Sequence, residues 1–210
     1  VYSDLMRIIS GEFRSRKLFT PPDAEVTRPI PDRVKESIFM ILRGHCEDAA
    51  VYDCFAGTGA IGLEALSRGA KRVVMVEKDR AVAAVLQKNI DALGVADRCE
   101  LVVGDALGAG AMARCPRPVH LIFFDPPYPI VRDHLGWKRV SGQFARAIQL
   151  LDATGYAVLR TPWPLQHMFN EGGSPHDPHV PAGAQPCAAG PGAGASGGGV
   201  GVGGDSKRVV

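Results

Sequence analysis

The sequence predicts an α/β domain, a doubly wound and mostly parallel sheet. Three observations carry that expectation: short runs that are apolar throughout, helical patterns spaced between them, and a glycine turn directly after the first run. Strands with no polar alternation are buried on both faces, which a parallel sheet covered by helices provides. Right-handed crossovers then place ligands beyond the carboxyl ends of the strands.

Taken in order, residues 1–50 form a basic, proline-punctuated start with one amphipathic helix. Val34, Ile38, Ile41 and Leu42 recur at helical spacing, with Pro31 and Asp32 in the first turn. Strands are expected at 51–55, 72–77, 99–103, 119–124 and 156–160. Between them, 60–67 and 79–93 read as helices. The second carries Val82, Val85, Leu86, Ile90 and Leu93 on one stripe, with Gly94 where a helix-ending glycine belongs. Phe144, Ala147, Ile148 and Leu151 mark a further helix. Residues 51–165 thus make one ligand-binding domain. From about Glu171 the pattern collapses: 12 of the 25 glycines fall in the last 40 residues, with Pro, Ala and Ser. Such a stretch buries too little apolar surface to offset its ordering entropy, so 166–210 is expected to be a disordered tail.

The 210 residues, 46% of them hydrophobic, suit one domain with a sizeable core and a short appendage. No run approaches the ~18 apolar residues of a membrane span, and the start lacks a basic-then-apolar leader, so a cytoplasmic protein is expected. The five cysteines (46, 54, 99, 115 and 187) show no C-x-x-C pair and no metal-like spacing with the six histidines. They read as free thiols in a reducing compartment, and no metal is expected. His45 and His120 read as a surface group and a strand residue. A net charge of +2 does not by itself argue for nucleic acid, but Arg7, Arg14, Arg16 and Lys17 crowd the first twenty residues.

Two motifs carry chemistry. Gly57-Thr58-Gly59-Ala60-Ile61-Gly62 fits G-x-G-x-x-G between a strand and a helix, where glycines let a ligand approach the backbone closely. Glu77, about twenty residues on, stands where a carboxylate accepts both ribose hydroxyls. The turn alone does not choose between nucleotides. Asp53 would sit near the amino-acid end of an adenosylmethionine, where NAD would place a pyrophosphate. Asp105, between Gly104 and Ala106, is either a turn aspartate or an acceptor for an adenine amine.

The second motif is Asp125-Pro126-Pro127-Tyr128, closing the apolar run 119–124. An exocyclic amine on a base is a poor nucleophile because its lone pair is delocalised into the ring. Acceptors on its two N–H bonds, the Asp125 carboxylate and the Pro126 carbonyl, favour a pyramidal nitrogen. The prolines stiffen those acceptors in place, and Tyr128 offers a stacking face worth about 1–3 kcal/mol. Together the motifs predict methyl transfer to a nucleobase nitrogen. The segment from Thr27 to Arg33 reads either as a rigid loop with surface arginines or as a lid whose Arg28 and Arg33 reach phosphates.

With these residues in hand, the chain resembles the RsmD family of bacterial methyltransferases. The likeness runs from Met6 to about Pro164 and includes the blocks 6–18, 27–29, 32–39 and 53–65 and the tetrapeptide at 125–128. It implies a class I, Rossmann-like methyltransferase fold with S-adenosylmethionine as donor. It implies a guanine N2 amine of 16S rRNA as acceptor, within the small ribosomal subunit or its assembly intermediate. Asp53, Ala56, Gly57, Thr58, Gly59, Glu77, Asp105 and Ala106 would hold the cofactor. Asp125, Pro126, Pro127 and Tyr128 would hold the base, and the basic start would face RNA. Met6 would be the natural start. Beyond Trp163 the family's closing antiparallel strands give way to the glycine-rich tail, as a shifted reading frame would produce. Three rivals stay open: an amino-methyltransferase on another RNA or DNA base, a nucleotide-dependent oxidoreductase, and a non-catalytic RNA-binding module.

Overall fold

The computed structural model describes residues 6–21 and 30–161, together with the backbone of Arg208–Val209. Six strands form one sheet in the order β3-β2-β1-β4-β5-β6, and every neighbouring pair is parallel. The strands are β1 (Ala50–Asp53), β2 (Arg72–Glu77), β3 (Cys99–Val103), β4 (Val119–Phe124), β5 (Leu151–Leu159) and β6 (Arg208–Val209). The helices are α1 (Asp32–Ile41), α2 (Gly62–Ser67), α3 (Arg80–Leu93), α4 (Ala109–Ala113), α5 (Tyr128–Arg132) and α6 (His134–Ile148).

Alternation along the central strands explains why both faces are covered. Val51, Val73, Met75, Leu121 and Phe123 pack into one core with Leu63, Leu66, Leu86 and Ile90 from α2 and α3. Tyr52, Val74, Val76, Ile122 and Phe124 pack into the other with Val140, Phe144 and Ala147 from α6. Each such side chain contributes about 1.5–3 kcal/mol by leaving water. The strand order reverses at β1, which pairs with β2 on one side and β4 on the other. A crevice opens at that switch point, beyond the carboxyl ends of these strands.

Helix α3 forms as its ends dictate. The Asp79 carboxylate accepts from the Ala81 and Val82 N–H groups at 2.7 and 3.1 Å, a cap worth about 1 kcal/mol. Gly94 closes it in the left-handed conformation.

Residues 6–21 are built into the core. Arg7 and Lys17 form an antiparallel bridge, and Met6, Ile8 and Leu18 are buried against the first face of the sheet. The fully buried Glu64 of α2 accepts from the Ile9 and Ser10 N–H groups at 2.7 and 3.1 Å and from Arg68 at 2.8 Å. Its partner is an equally buried cation, Lys35 of α1, 3.6 Å away. Lys35 also donates to the Arg7 carbonyl at 2.5 Å. Ser67 and Asn89 bond the same segment at Phe13 and Phe19.

Several expectations need correction. Helix α1 is present and Val34, Ile38 and Leu42 pack on the core as expected, but Ile41 is 56% exposed and Lys35 and Phe39 are buried as well. The charge pair with Glu64 lets a lysine share the inward face. Leu151 begins β5 instead of ending α6, because the chain reverses at Leu150 and enters the sheet five residues early. Strand β1 ends at Asp53, where the glycine turn starts, and α2 begins at Gly62. Arg28 and most of the tail lie outside the described residues, but Arg208 and Val209 pair with Tyr156 and Ala157.

Candidate active site

The two motifs meet in one cleft. A cavity of about 680 Å³ at the switch point is lined by Ala56, Gly57 and Thr58 after β1, Glu77 after β2, Asp105 and Ala106 after β3, and Asp125–Tyr128 after β4. Such a volume suits a nucleoside-sized ligand. The register Asp53↔Phe123 explains the convergence, since it places the ends of β1 and β4 side by side. Had the tetrapeptide lain across the molecule from the glycine turn, joint chemistry would have been impossible.

Gly57 and Gly59 hold φ of +55° and +92°, which L side chains rarely adopt. A Cβ on Gly57 would meet no atom within 4 Å, so the turn is open toward the cleft. A Cβ on Gly59 would lie 2.5 Å from Leu86 Cδ1, and Gly59 does not line the cavity. Gly59 therefore serves packing against α3, while Gly57 exposes backbone. The Glu77 carboxylate fastens the turn, accepting from the Gly57 N–H at 2.9 Å and the Asp79 N–H at 2.7 Å.

Asp53 lies beneath the turn, fully buried and outside the cavity lining. Oδ2 accepts from the Gly62 N–H at 3.0 Å, and Oδ1 has no hydrogen-bond partner among the described residues. Burial pushes its pKa up to about 7. The nearby Asp125 adds to the shift, while the Gly62 N–H opposes it. An orphaned acceptor next to the turn fits a cationic ligand group.

At the end of β4, Pro127 precedes the first turn of α5, so Tyr128 starts a helix that packs on α6. Asp125 is held by Arg160, which donates from Nε to Oδ1 at 2.6 Å and from Nη2 to Oδ2 at 2.7 Å. The guanidinium also lies 6.0 Å from the Tyr128 ring centroid. Burial raises the Asp125 pKa and Arg160 pulls it back. Asp105 has an arginine too: Arg139 of α6 reaches Oδ2 at 3.2 Å, while Oδ1 accepts from the Leu107 N–H.

Sequence reasoning assigns no role to Arg160 or Arg139. The fifth expected strand ends on Arg160, and the register Phe124↔Leu159 sets that residue beside Asp125. That adjacency is the available signal. Met6 is a further lining residue, accepting from Thr58 Oγ1 at 3.4 Å through its sulfur.

Among the basic residues, Arg7 pairs with Asp32 and Arg16 donates to the Ala92 carbonyl. Arg14, Lys17 and Arg33 have no ion-pair partner among the described residues, and all three are exposed. His45 and His120 lie at the opposite end of the sheet, 3.1 Å apart, with His120 bonded to Asp152 at 2.8 Å. Cys46, Cys54, Cys99 and Cys115 are free thiols, and Cys187 lies outside the described residues.

Fold and cleft together define a class I methyltransferase architecture, Rossmann-like and doubly wound. The chain belongs to the family described as Conserved hypothetical protein 95, whose model matches residues 6–137, the family to which the RsmD likeness pointed. It is 43% identical over 126 residues to the ribosomal RNA small subunit methyltransferase D of Escherichia coli K12, covering 60% of this chain and 62% of that one. It is 36% identical over 128 residues to the protein of the same name from Haemophilus influenzae, covering 59% and 64%. This chain therefore spans less than two thirds of the length of these relatives. A solved structure, a hypothetical protein of Thermus thermophilus, is 31% identical over 75% of this chain and 86% of its own, with a TM-score of 0.62.

Proposed function

We propose that this chain transfers a methyl group from S-adenosylmethionine to the exocyclic N2 amine of a guanine in 16S rRNA. Its substrate on this reading is the small ribosomal subunit or an assembly intermediate, in the cytoplasm. The observation that carries the reading is the shared cleft, in which an open glycine turn and an amine-accepting turn occupy adjacent strand ends.

The residues present fit the cofactor. Gly57 leaves space over the turn, Glu77 keeps lone pairs for ribose hydroxyls, and Asp53 offers its unpartnered oxygen toward the positively charged amino-acid end. Asp105, which lines the cleft at the end of β3, would accept from an adenine amine. When bound, the cofactor supplies a methyl group on a sulfonium, which is already an excellent leaving group.

The chain then has to aim the nucleophile. Asp125 and the Pro126 carbonyl accept the two N–H bonds of the guanine amine, so its lone pair is freed from the ring and directed at the methyl carbon. Tyr128 stacks on the extruded base. Alignment supplies most of the acceleration and no strong base is required before transfer. Arg14, Lys17 and Arg33 supply charge for RNA phosphates, and Arg7, Arg16 and Arg28 belong to the same basic face in this reading.

A radiolabelled-methyl assay on small subunits, free 16S rRNA and DNA tests the proposal. Label should appear on ribosomal RNA as N2-methylguanine, and Asp125→Ala should lower transfer by roughly 10²-fold or more while adenosylhomocysteine still binds. Label on DNA, on another atom, or on nothing would overturn it.

A further inference from the structure

The contact between Asp125 and Arg160 raises a question that the methyltransferase reading leaves open. The carboxylate meant to grip the amine is already engaged at both oxygens. Arg160 belongs to the end of β5, where its N–H donates to the Phe124 carbonyl at 2.9 Å, so the register fixes its backbone beside the tetrapeptide. The family match stops at residue 137, so this partner comes from outside the matched segment.

A guanidinium meeting a carboxylate side-on uses one lone pair of each oxygen and leaves the other on each. The pair is therefore compatible with a further donor and fixes the plane in which that donor must lie. Asp125 is also largely buried, which disfavours its charge, and Arg160 is the counter-charge that opposes protonation. A protonated carboxyl presents a donor to the amine where an acceptor is needed. The charged or titratable groups facing Asp125 are Arg160 from β5, Asp53 from β1 and Tyr128 from α5.

We propose that Arg160 is a positioning residue for methyl transfer, holding the Asp125 carboxylate ionised and in one plane so that its remaining lone pairs meet the substrate amine. This rests on the methyltransferase reading of the same cleft.

The test is the pH profile of transfer by the full chain, with cofactor binding measured alongside. In Arg160→Met, kcat at pH 7 should fall by roughly tenfold or more, and the deficit should shrink toward about pH 9 because the acid limb moves upward. Adenosylhomocysteine affinity should stay within about threefold, since Arg160 acts on the acceptor side. Arg160→Lys keeps the charge without the planar fork, so its acid limb should return toward wild type while kcat recovers only in part. A loss equal at every pH, or a gain in activity from releasing Asp125, would overturn the inference.

A readout independent of turnover is the ¹³C titration of the Asp125 carboxyl, which should move to higher pH in Arg160→Met. An unmoved titration overturns the positioning role whatever the wild type does. A wild-type chain that methylates no substrate would instead count against the enzymatic reading.

Discussion

Two regions around the cleft use carboxylates differently. On the wall built from the N-terminal segment, α2 and the glycine turn, each carboxylate is engaged by backbone N–H groups, with Arg68 and Lys35 added at Glu64 behind the lining. Glu64 takes those of Ile9 and Ser10, Glu77 those of Gly57 and Asp79, and Asp53 that of Gly62. On the wall built from the ends of β3, β4 and β5, each carboxylate is held by an arginine side chain, Asp125 by Arg160 and Asp105 by Arg139, with the Leu107 N–H as a second donor to Asp105. Backbone donors cannot leave without unfolding the turn they belong to, whereas a guanidinium bonded to a carboxylate leaves lone pairs that a ligand can share. The first wall is a fixed scaffold, and the second presents acceptors that a substrate can share.

The largest expected effect tests that division. Replacing Glu64 by Gln presents an amide where two backbone donors and a buried ammonium need an acceptor. Lys35, whose charge burial already disfavours, is left without its closest anion. Breaking such a buried pair costs about 3–5 kcal/mol. Asp105→Asn removes a pair whose side chains are 61% and 38% exposed, and this should cost under about 1 kcal/mol. Urea denaturation of both variants decides it: equal losses would erase the distinction between the walls.

The same division explains what is legible in the sequence. The glycine-turn part of the scaffold wall is local in sequence: strand, turn, helix and Glu77 follow one another at spacings a reader can count. The bonds from Ile9 and Ser10 to Glu64, by contrast, span 55 and 54 residues and are not legible. The tetrapeptide is legible for the same reason. The arginines are not, because Arg160 is 35 residues from Asp125 and Arg139 is 34 from Asp105, and only register and packing bring them together. Helix α1 departs from its expected face only at Ile41, on similar grounds. Its inward side includes Lys35, and a buried lysine is visible only once Glu64 is known to lie opposite. Leu151 is ambiguous because a helix-compatible leucine also suits the start of a buried strand.

A smaller effect sharpens the contrast within the scaffold wall. Asp53 has an unpartnered oxygen there, and its pKa stands near 7 in the folded chain against about 3.9 when unfolded. The folded state thus binds the proton more tightly. Asp53 contributes stability that is fully present below about pH 4 and is lost as pH rises through about 7. The unliganded protein should lose on the order of 2–4 kcal/mol between about pH 5 and 8 from this group, and Asp53→Asn should remove that part of the slope. Bound adenosylhomocysteine should flatten the wild-type slope, because a cationic group beside Oδ1 stabilises the ionised form. A slope that survives Asp53→Asn would assign it to other groups.

The smallest expected effect concerns the outer face of the scaffold wall, where cations differ in the way the carboxylates do. Arg7 and Arg16 are engaged by Asp32 and the Ala92 carbonyl, while Arg14 and Lys17 are exposed without an ion-pair partner among the described residues. A cation already bonded within the protein displaces fewer counterions from RNA than one held in water. Each of Arg14→Ala and Lys17→Ala should therefore lower the salt slope of RNA binding by about 0.7–0.9, with a smaller change for Arg7→Ala or Arg16→Ala. Filter binding of 16S rRNA across a salt series measures it. If all four slopes fall alike, the internal bonds do not restrain these side chains and the basic face acts as one cluster. If none falls, RNA approaches the cleft from another side.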